Sequence, residues 1–412
     1  MIILTHAKET LTCVPSPHDP IGRIKDGAIA IEGEKIIAVG STPEIVARYA
    51  AASPEIIDCT GKIIAPGFVD SHTHLVFGGS RVQEYAAKMT MTPDQIKALN
   101  IPTGILATVN MTRAASIDEL TASAEDRLRR MLCYGTTTVE SKSGYGLTVS
   151  DEIKLLEVNQ KLRASQPVDI VSTFLGAHHI PKEVSRERYI ESVIKEMIPQ
   201  VAERKLAEFC DVFCDEGYYT AAESKMILEA GMRAGLKPKI HTEQYSAIGG
   251  AMMCAELGAV SADHLNYVDR TVMRTLAKGN VIGVVTPVLD FAVKHPKPFE
   301  ARAMIEEGMT VALATDFCPA CWCESMQVVM QFACRNYKMS PEEALLASTV
   351  NGAKALGLND RGTLAVGMIA DIQVWDVPTF EDVIYRIGNN AVSMVIKKGS
   401  TSIVKPPISV VA

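Results

Sequence analysis

No stretch of this chain stays apolar long enough to cross a membrane. The N-terminal run Met1-Ile2-Ile3-Leu4-Thr5-His6-Ala7-Lys8-Glu9 lacks the basic-then-apolar order of a secretory leader. Positive charge is not in excess: 41 Lys and Arg against 48 Asp and Glu leave a net charge of −7. The basic footprint of a nucleic-acid binder is therefore missing, and an anionic ligand needs a local cation rather than a global field. The ten cysteines are scattered through 412 residues, not spaced as a small disulfide scaffold. No internal repeat, low-complexity tract or long linker breaks the chain. These absences predict a soluble protein of a reducing, cytoplasmic compartment with no nucleic-acid or membrane partner.

What is present is a large apolar content, 47%, in a chain longer than an ordinary single domain. At the start, Ala28 to Ile31 and Ile36 to Gly40 flank the polar turn Glu32-Gly33-Glu34-Lys35, a hairpin signal. Near the end, Ala370 to Asp376 alternates apolar and polar residues as a half-buried strand does, and Val392 to Gly399 is a second strand running into a turn. Each end alone is short of a core, so the two are expected to combine. Between them strands alternate with helices: strands at Thr136–Glu140, Ile170–Leu175, Pro238–His241, Ala259–His264 and Val311–Asp316, helices at Asp151–Leu162 and Tyr189–Arg204. That alternation predicts a parallel sheet, and its length suits an α/β (β/α)8 TIM barrel, with a doubly wound sheet as the alternative. The expected division is a composite, sandwich-like β-domain from residues 1–64 plus 365–412 around a barrel of residues 65–364.

The chemistry concentrates at predicted strand ends. Pro66-Gly67-Phe68-Val69-Asp70-Ser71-His72-Thr73-His74 places two imidazoles two residues apart after the apolar run Ile63-Ile64-Ala65. In extended chain such residues share a face. Three later strands finish on His241, His264 and Asp316. A single histidine is more often a hydrogen-bonded structural residue; four, with a carboxylate, at the ends where barrel enzymes carry their sites point to a metal centre. Three or four N/O ligands and one open position suit zinc or iron. The carboxylate can move protons and a spare imidazole can stabilise an oxyanion.

These residues, together with Leu75 to Arg81, Thr138 to Leu147, Leu175-Gly176-Ala177-His178, Ser261 to Leu265, Glu324-Ser325-Met326 and Asn351-Gly352-Ala353, resemble the amidohydrolase superfamily. Within it the chain resembles the imidazolonepropionases over nearly its whole length. The resemblance implies hydrolysis of a cyclic amide C–N bond, 4-imidazolone-5-propanoate to N-formimidoyl-L-glutamate, in histidine degradation. It implies one zinc or iron ion on His72, His74, His241 and Asp316, with His264 as the catalytic imidazole and Asp316 as the proton carrier. It implies Arg81 as the anchor of an acidic substrate tail, Tyr145 and His178 as substrate contacts, and a homodimer.

Two segments depart from the family pattern. Where it usually continues Phe-Asn-Pro-Gly-Ser or Phe-Asn-Pro-Gly-Thr, the run here is Phe317-Cys318-Pro319-Ala320-Cys321. Cys318, Ala320 and Cys321 thus stand at substrate-binding positions, and thiols are weak hydrogen-bonding groups. A glycine-rich stretch preceded by a substrate-reaching aromatic is replaced by Asn100 to Val109, with no tyrosine before Gly104. A related oxo-imidazoline or hydantoin carboxylate is therefore the alternative substrate. Cys318, Cys321 and Cys323 line up as Cys-x-x-Cys-x-Cys without a second pair, which favours pocket lining over a separate metal site. Related deaminases of nucleobases carry Glu three residues after the histidine that His241 matches; here it is Gln244, which can hydrogen-bond a ring but cannot usefully exchange a proton. That disfavours deamination, and the retained ligand set disfavours a catalytically inert binding or scaffold protein.

Overall fold

The computed structural model of the chain describes residues 1–404; residues 405–412, the tail of the expected composite domain, lie outside the described residues. Strands β1 (Ile2–Leu11), β2 (Arg23–Glu32), β3 (Lys35–Ser41), β4 (Glu55–Asp58) and β5 (Ile63–Pro66) come first. Then follow β6 (Phe68–Asp70), β7 (Thr136–Lys142), β8 (Asp169–Ala177), β9 (Phe209–Cys214), β10 (Lys237–Thr242), β11 (Ser261–His264), β12 (Ile282–Val285) and β13 (Val311–Leu313). The chain closes with β14 (Ile372–Trp375), β15 (Val392–Lys397) and β16 (Ser400–Val404). One eight-stranded sheet unites both ends in the order β16-β15-β14-β5-β1-β2-β3, with β4 against β1. The other runs β6 to β13 in chain order, every neighbour parallel. With helices on the crossovers this is the (β/α)8 arrangement expected from the alternation.

Helix starts follow local chemistry. Ser116 with Glu119 and Thr220 with Glu223 form reciprocal capping boxes on the helices Ile117–Cys133 and Ala221–Arg233. The helix predicted over Tyr189–Arg204 is interrupted: α-helix at Arg186–Ser192, a π-helical turn at Val193–Met197, then α-helix at Ile198–Glu203. Pro199 lacks the N–H for an i→i−4 bond and its ring crowds that carbonyl, so the wider turn takes up the mismatch.

Two expectations change at the joint between the sheets. Ile63-Ile64-Ala65 is not the barrel strand that precedes the His-x-His; it pairs with β1 and β14 in the terminal sheet. The barrel strand is the short β6 inside the motif, and its register with β7 sets the following loop. Gln373, read as a solvent-facing residue of an alternating strand, is fully buried. Its amide donates to Pro66 O at 2.7 Å and accepts from Trp375 Nε1 at 2.8 Å, so a polar residue serves where both faces are covered. Trp375 in turn packs against Phe68 and Phe380.

An ion cluster ties the far side of the barrel to the terminal sheet. Asp169 at the start of β8 meets Arg361 at 2.5 Å, Lys397 at 2.8 Å and Lys398 at 2.8 Å. Burial opposes its ionisation, but Lys397, Lys398 and Arg361 outweigh burial and hold the carboxyl below its usual range. A carboxyl depressed in the folded state stabilises the protein fully above its unfolded pKa and loses that contribution as pH falls through the acid range below about 4. Asp169→Asn is therefore expected to lower the urea midpoint at pH 7 while leaving a flatter acid limb. Parallel unfolding curves for both proteins at pH 7 and pH 3 check this, the gap narrowing at the lower pH.

Candidate metal centre and active site

The barrel closes at the site itself. Beyond the ends of β6 and β13, Asp316 N–H donates to His72 O at 3.1 Å and His74 N–H donates to Phe317 O at 2.9 Å. Thr73 and Phe317 pair as an isolated parallel bridge. Asp70, the last residue of β6, accepts from Thr315 N–H at 3.0 Å and from its hydroxyl at 2.6 Å. The loop bearing His72 and His74 is thereby locked to the loop bearing Asp316, although neither histidine lies in a strand. Asp316 is held at φ +47, a left-handed conformation that Asp tolerates better than most residues.

Around this seam the strand ends converge. His72 Nε2 lies 3.6 Å and His74 Nε2 3.8 Å from Asp316 Oδ1, and His264 Nε2 lies 4.0 Å from Oδ2. The His241 ring is centred 4.5 Å from His72, and the His264 ring 5.1 Å from His72. Ligand atoms of His72, His74 and Asp316, and of His72, His241 and His264, each fall within 4.8 Å of one another. All five residues are buried. Among the described residues, His72 Nε2 and both ring nitrogens of His241 have no hydrogen-bond partner. Burial holds the imidazoles neutral: it pushes His264 down to about 4 and His72, His74 and His241 well below their ordinary value. Neutral, unpartnered imidazole nitrogens turned on one point are the chemistry of a metal ligand set.

A charged floor that sequence reasoning did not single out lies beneath them. Lys142 Nζ, fully buried, contacts Asp211 Oδ2 at 2.7 Å, Glu140 Oε1 at 2.9 Å and Asp263 Oδ2 at 3.4 Å. Lys239, also buried, meets Glu140 at 3.1 Å. Asp263 takes His72 Nδ1 at 2.7 Å, and Asp211 lies 2.9 Å from His241 Nδ1, off the line of a good hydrogen bond. Both carboxylates therefore sit where they orient a ligand imidazole from behind. Counting Asp70, Glu140, Asp211, Asp263 and Asp316 against Lys142 and Lys239, five buried carboxyls face two ammonium groups. Burial pushes Asp316 up to about 8 and Asp70 up to about 7. A divalent cation among these donors offsets that excess, so the residues present fit a bound metal.

The other predicted residues surround this centre. His178 stacks on His74, ring centroids 4.9 Å apart, and its Nδ1 lies 3.0 Å from Gly144 O. Tyr145 stands 5.5 Å from His74 and 5.2 Å from His178 by ring centroids. Its loop is shaped by Glu152, which accepts from the N–H groups of Gly144, Gly146 and Leu147 at 2.7–2.9 Å. Gly144 at φ +108 adopts a turn that a side chain would strain. Gln244 is buried, its N–H donating to Asp215 at 2.8 Å and its carbonyl accepting from His295 Nε2 at 2.8 Å, which leaves the carboxamide without a protein partner among the described residues. Glu243 turns away to cap Gly249 at 3.1 Å, so it does not stand in for a proton-carrying Glu.

Cys318 and Cys321 exchange both backbone hydrogen bonds, at 3.1 and 3.0 Å, around Pro319-Ala320, a two-residue turn. Burial pushes the Cys318 and Cys321 thiols well up and Cys323 up to about 12, which makes them inert wall rather than nucleophiles. Ala320 and Arg81 line a cleft of about 1320 Å³ that none of the four central histidines lines. Arg81 is not free in that cleft: Glu84 accepts from its Nε at 2.5 Å and its Nη2 at 2.9 Å.

A parallel barrel with a buried His and Asp cluster at its strand ends has the form of an amidohydrolase, and the chain belongs to that family: the profile described as "Amidohydrolase family" matches residues 63–401. Within it the chain falls among the imidazolonepropionases. It is 43% identical over 390 residues to the imidazolonepropionase of Alkaliphilus oremlandii (strain OhILAs), covering 93% of this chain and 92% of the relative. It is 43% identical over 413 residues to that of Shouchella clausii (strain KSM-K16), covering 97% and 92%. Among solved structures, an adenosine deaminase from Xanthomonas campestris with bound zinc superimposes with a TM-score of 0.73 at 17% identity, over 98% of this chain and 93% of the other. At that identity the likeness speaks for the fold.

Proposed function

We propose that this chain hydrolyses 4-imidazolone-5-propanoate to N-formimidoyl-L-glutamate, a step in histidine breakdown. The observation that carries the reading is the convergence of four neutral imidazoles and Asp316 at the barrel seam; the kinship with imidazolonepropionases names the ring. His72, His74, His241 and Asp316 are the ligands of the proposed ion, zinc or iron. Bound there, such an ion supplies Lewis acidity and lowers the pKa of water.

Arg81 takes the propionate through the guanidinium edge that Glu84 leaves open. Tyr145 and His178 flank the ring, Gln244 orients it with its unpartnered carboxamide, and Cys318, Ala320 and Cys321 form the opposing wall. Asp316 accepts a proton from the attacking water as the oxygen bonds to the ring carbonyl carbon. Thr286 Oγ1 lies 3.4 Å from His264 Nδ1; with that hydroxyl donating, the imidazole proton sits on Nε2 and faces the developing oxyanion. Asp316 then delivers its proton to the ring nitrogen as the C–N bond breaks, leaving a carboxylate and a formimidoyl amine.

Residues 65–364 form the catalytic unit in this reading and 1–64 plus 365–412 its composite support, with β5 running two residues across the boundary. A cytoplasmic homodimer belongs to the same reading; all ten cysteines are unpaired, as a reducing compartment requires. No helix of the described residues is long and apolar enough to cross a membrane. Product analysis discriminates the alternatives. Imidazolone propionate is expected to disappear with equimolar N-formimidoyl-glutamate and no ammonia, whereas an equivalent of ammonia would establish deamination instead.

A further inference from the structure

Arg81 is the anchor of the anionic tail in the reading above, and its geometry is set by Glu84, to which that reading gives no role beyond leaving one edge open. The Glu84 side chain is 2% exposed and the Arg81 side chain 10%. Glu84 takes Arg81 side-on, through Nε at 2.5 Å and Nη2 at 2.9 Å. A guanidinium has five N–H groups, so this grip leaves three, both on Nη1 and one on Nη2, along the opposite edge. That edge is the end-on fork that matches a carboxylate. Glu84 also accepts from Gly104 N–H, at 3.2 Å to Oε2, and from Lys88 Nζ at 2.6 Å. Arg81, Glu84, Lys88 and Gly104 all line the same cleft.

The charges sum to one. Two cations and one carboxylate leave the trio with a single positive charge, suited to one carboxylate and not to a neutral tail. The donors also outweigh the effect of burial on Glu84: burial raises its carboxyl, while Arg81 and Lys88 hold it below its usual range. An arginine on its own would sample many rotamers in a cleft this wide. Gly104 at φ +75 presents its N–H to Glu84 at the start of the helix Gly104–Ala114, so the fork is braced from two separate segments.

We propose that Glu84 is the positioning residue of the substrate-anion site, fixing Arg81 so that one guanidinium fork is always presented to a carboxylate on the substrate. The inference rests on Arg81 as anchor, and so on the proposed function. It concerns selection for the acidic tail, not the ring chemistry.

The test compares the wild-type holoenzyme with Glu84→Gln, which keeps the shape and an acceptor for Gly104 but loses the charge and the double grip. KM for imidazolone propionate is expected to rise about tenfold with kcat moving less than about threefold. In parallel, calorimetry with imidazole-4-propionate and its primary amide reads the anion site without turnover. The wild type is expected to prefer the acid by about tenfold or more, and Glu84→Gln to lose that preference. Glu84→Gln with unchanged acid preference, or with kcat falling and KM constant, overturns the proposal. A wild type that prefers the acid yet does not open imidazolone propionate would sink the proposed function and leave the role of Glu84 supported. A wild type with no acid preference overturns both.

Discussion

Asp316→Asn is expected to reduce turnover by about 10³-fold or more while the protein stays folded. Asn adopts left-handed backbone as readily as Asp, so φ +47 at this position is not strained by the change. The backbone N–H that closes the barrel onto His72 O is unaffected. What is lost is the carboxylate within 4.0 Å of three imidazoles, both as a ligand and as the group that takes a proton from water and passes it to the ring nitrogen. Steady-state assays with circular dichroism on the same preparations separate lost turnover from lost fold. Turnover retained within about tenfold contradicts the assignment of Asp316.

Lys142→Met is expected to cost about 3–5 kcal/mol of stability, the range for breaking one side of a buried ion network. The ammonium touches Glu140, Asp211 and Asp263, all fully buried, and removal leaves three carboxylates with Lys239 as the remaining ammonium among them. Asp211 and Asp263 also stand behind His241 and His72, so the substitution disturbs two proposed ligands that Lys142 is not hydrogen-bonded to. Urea unfolding with and without added zinc checks both consequences. The midpoint falls in either condition, and falls less with zinc present if a cation at the centre offsets part of the exposed negative charge. A change within about 0.5 kcal/mol would mean that the network is not what holds the barrel floor.

The architecture was legible in the chain because its elements obey two different periods. Apolar runs leading into His241, His264 and Asp316 recur between helical stretches, and the apolar ends echo one another, so both sheets follow from pattern alone. The His and Asp cluster was legible for the same reason, as chemistry that repeats at the ends of repeating units. The floor was not. Glu140 and Lys142, like Lys239 and His241, are i and i+2 in extended chain, and a charge in such a pattern reads as a solvated face. Only closure into a barrel turns that face inward, where the charges must neutralise one another. The grip of Glu84 on Arg81 was hidden for another reason: an i,i+3 pair at a helix start reads as a surface ion pair. The fold encloses it until neither side chain is more than 10% exposed. The barrel seam was missed because it is made by backbone groups beyond the strand ends, which leave no side-chain signature.

The claim on which everything else depends is that His72, His74, His241 and Asp316 together hold one catalytic ion. Titrating metal-free protein with zinc or ferrous iron, while following turnover of imidazolone propionate, tests it most directly. The expected curve rises from negligible activity to a plateau at one equivalent per chain, and Asp316→Asn shows neither the activity nor the tight equivalence point. Full turnover without metal, or a plateau only at two equivalents, would contradict it.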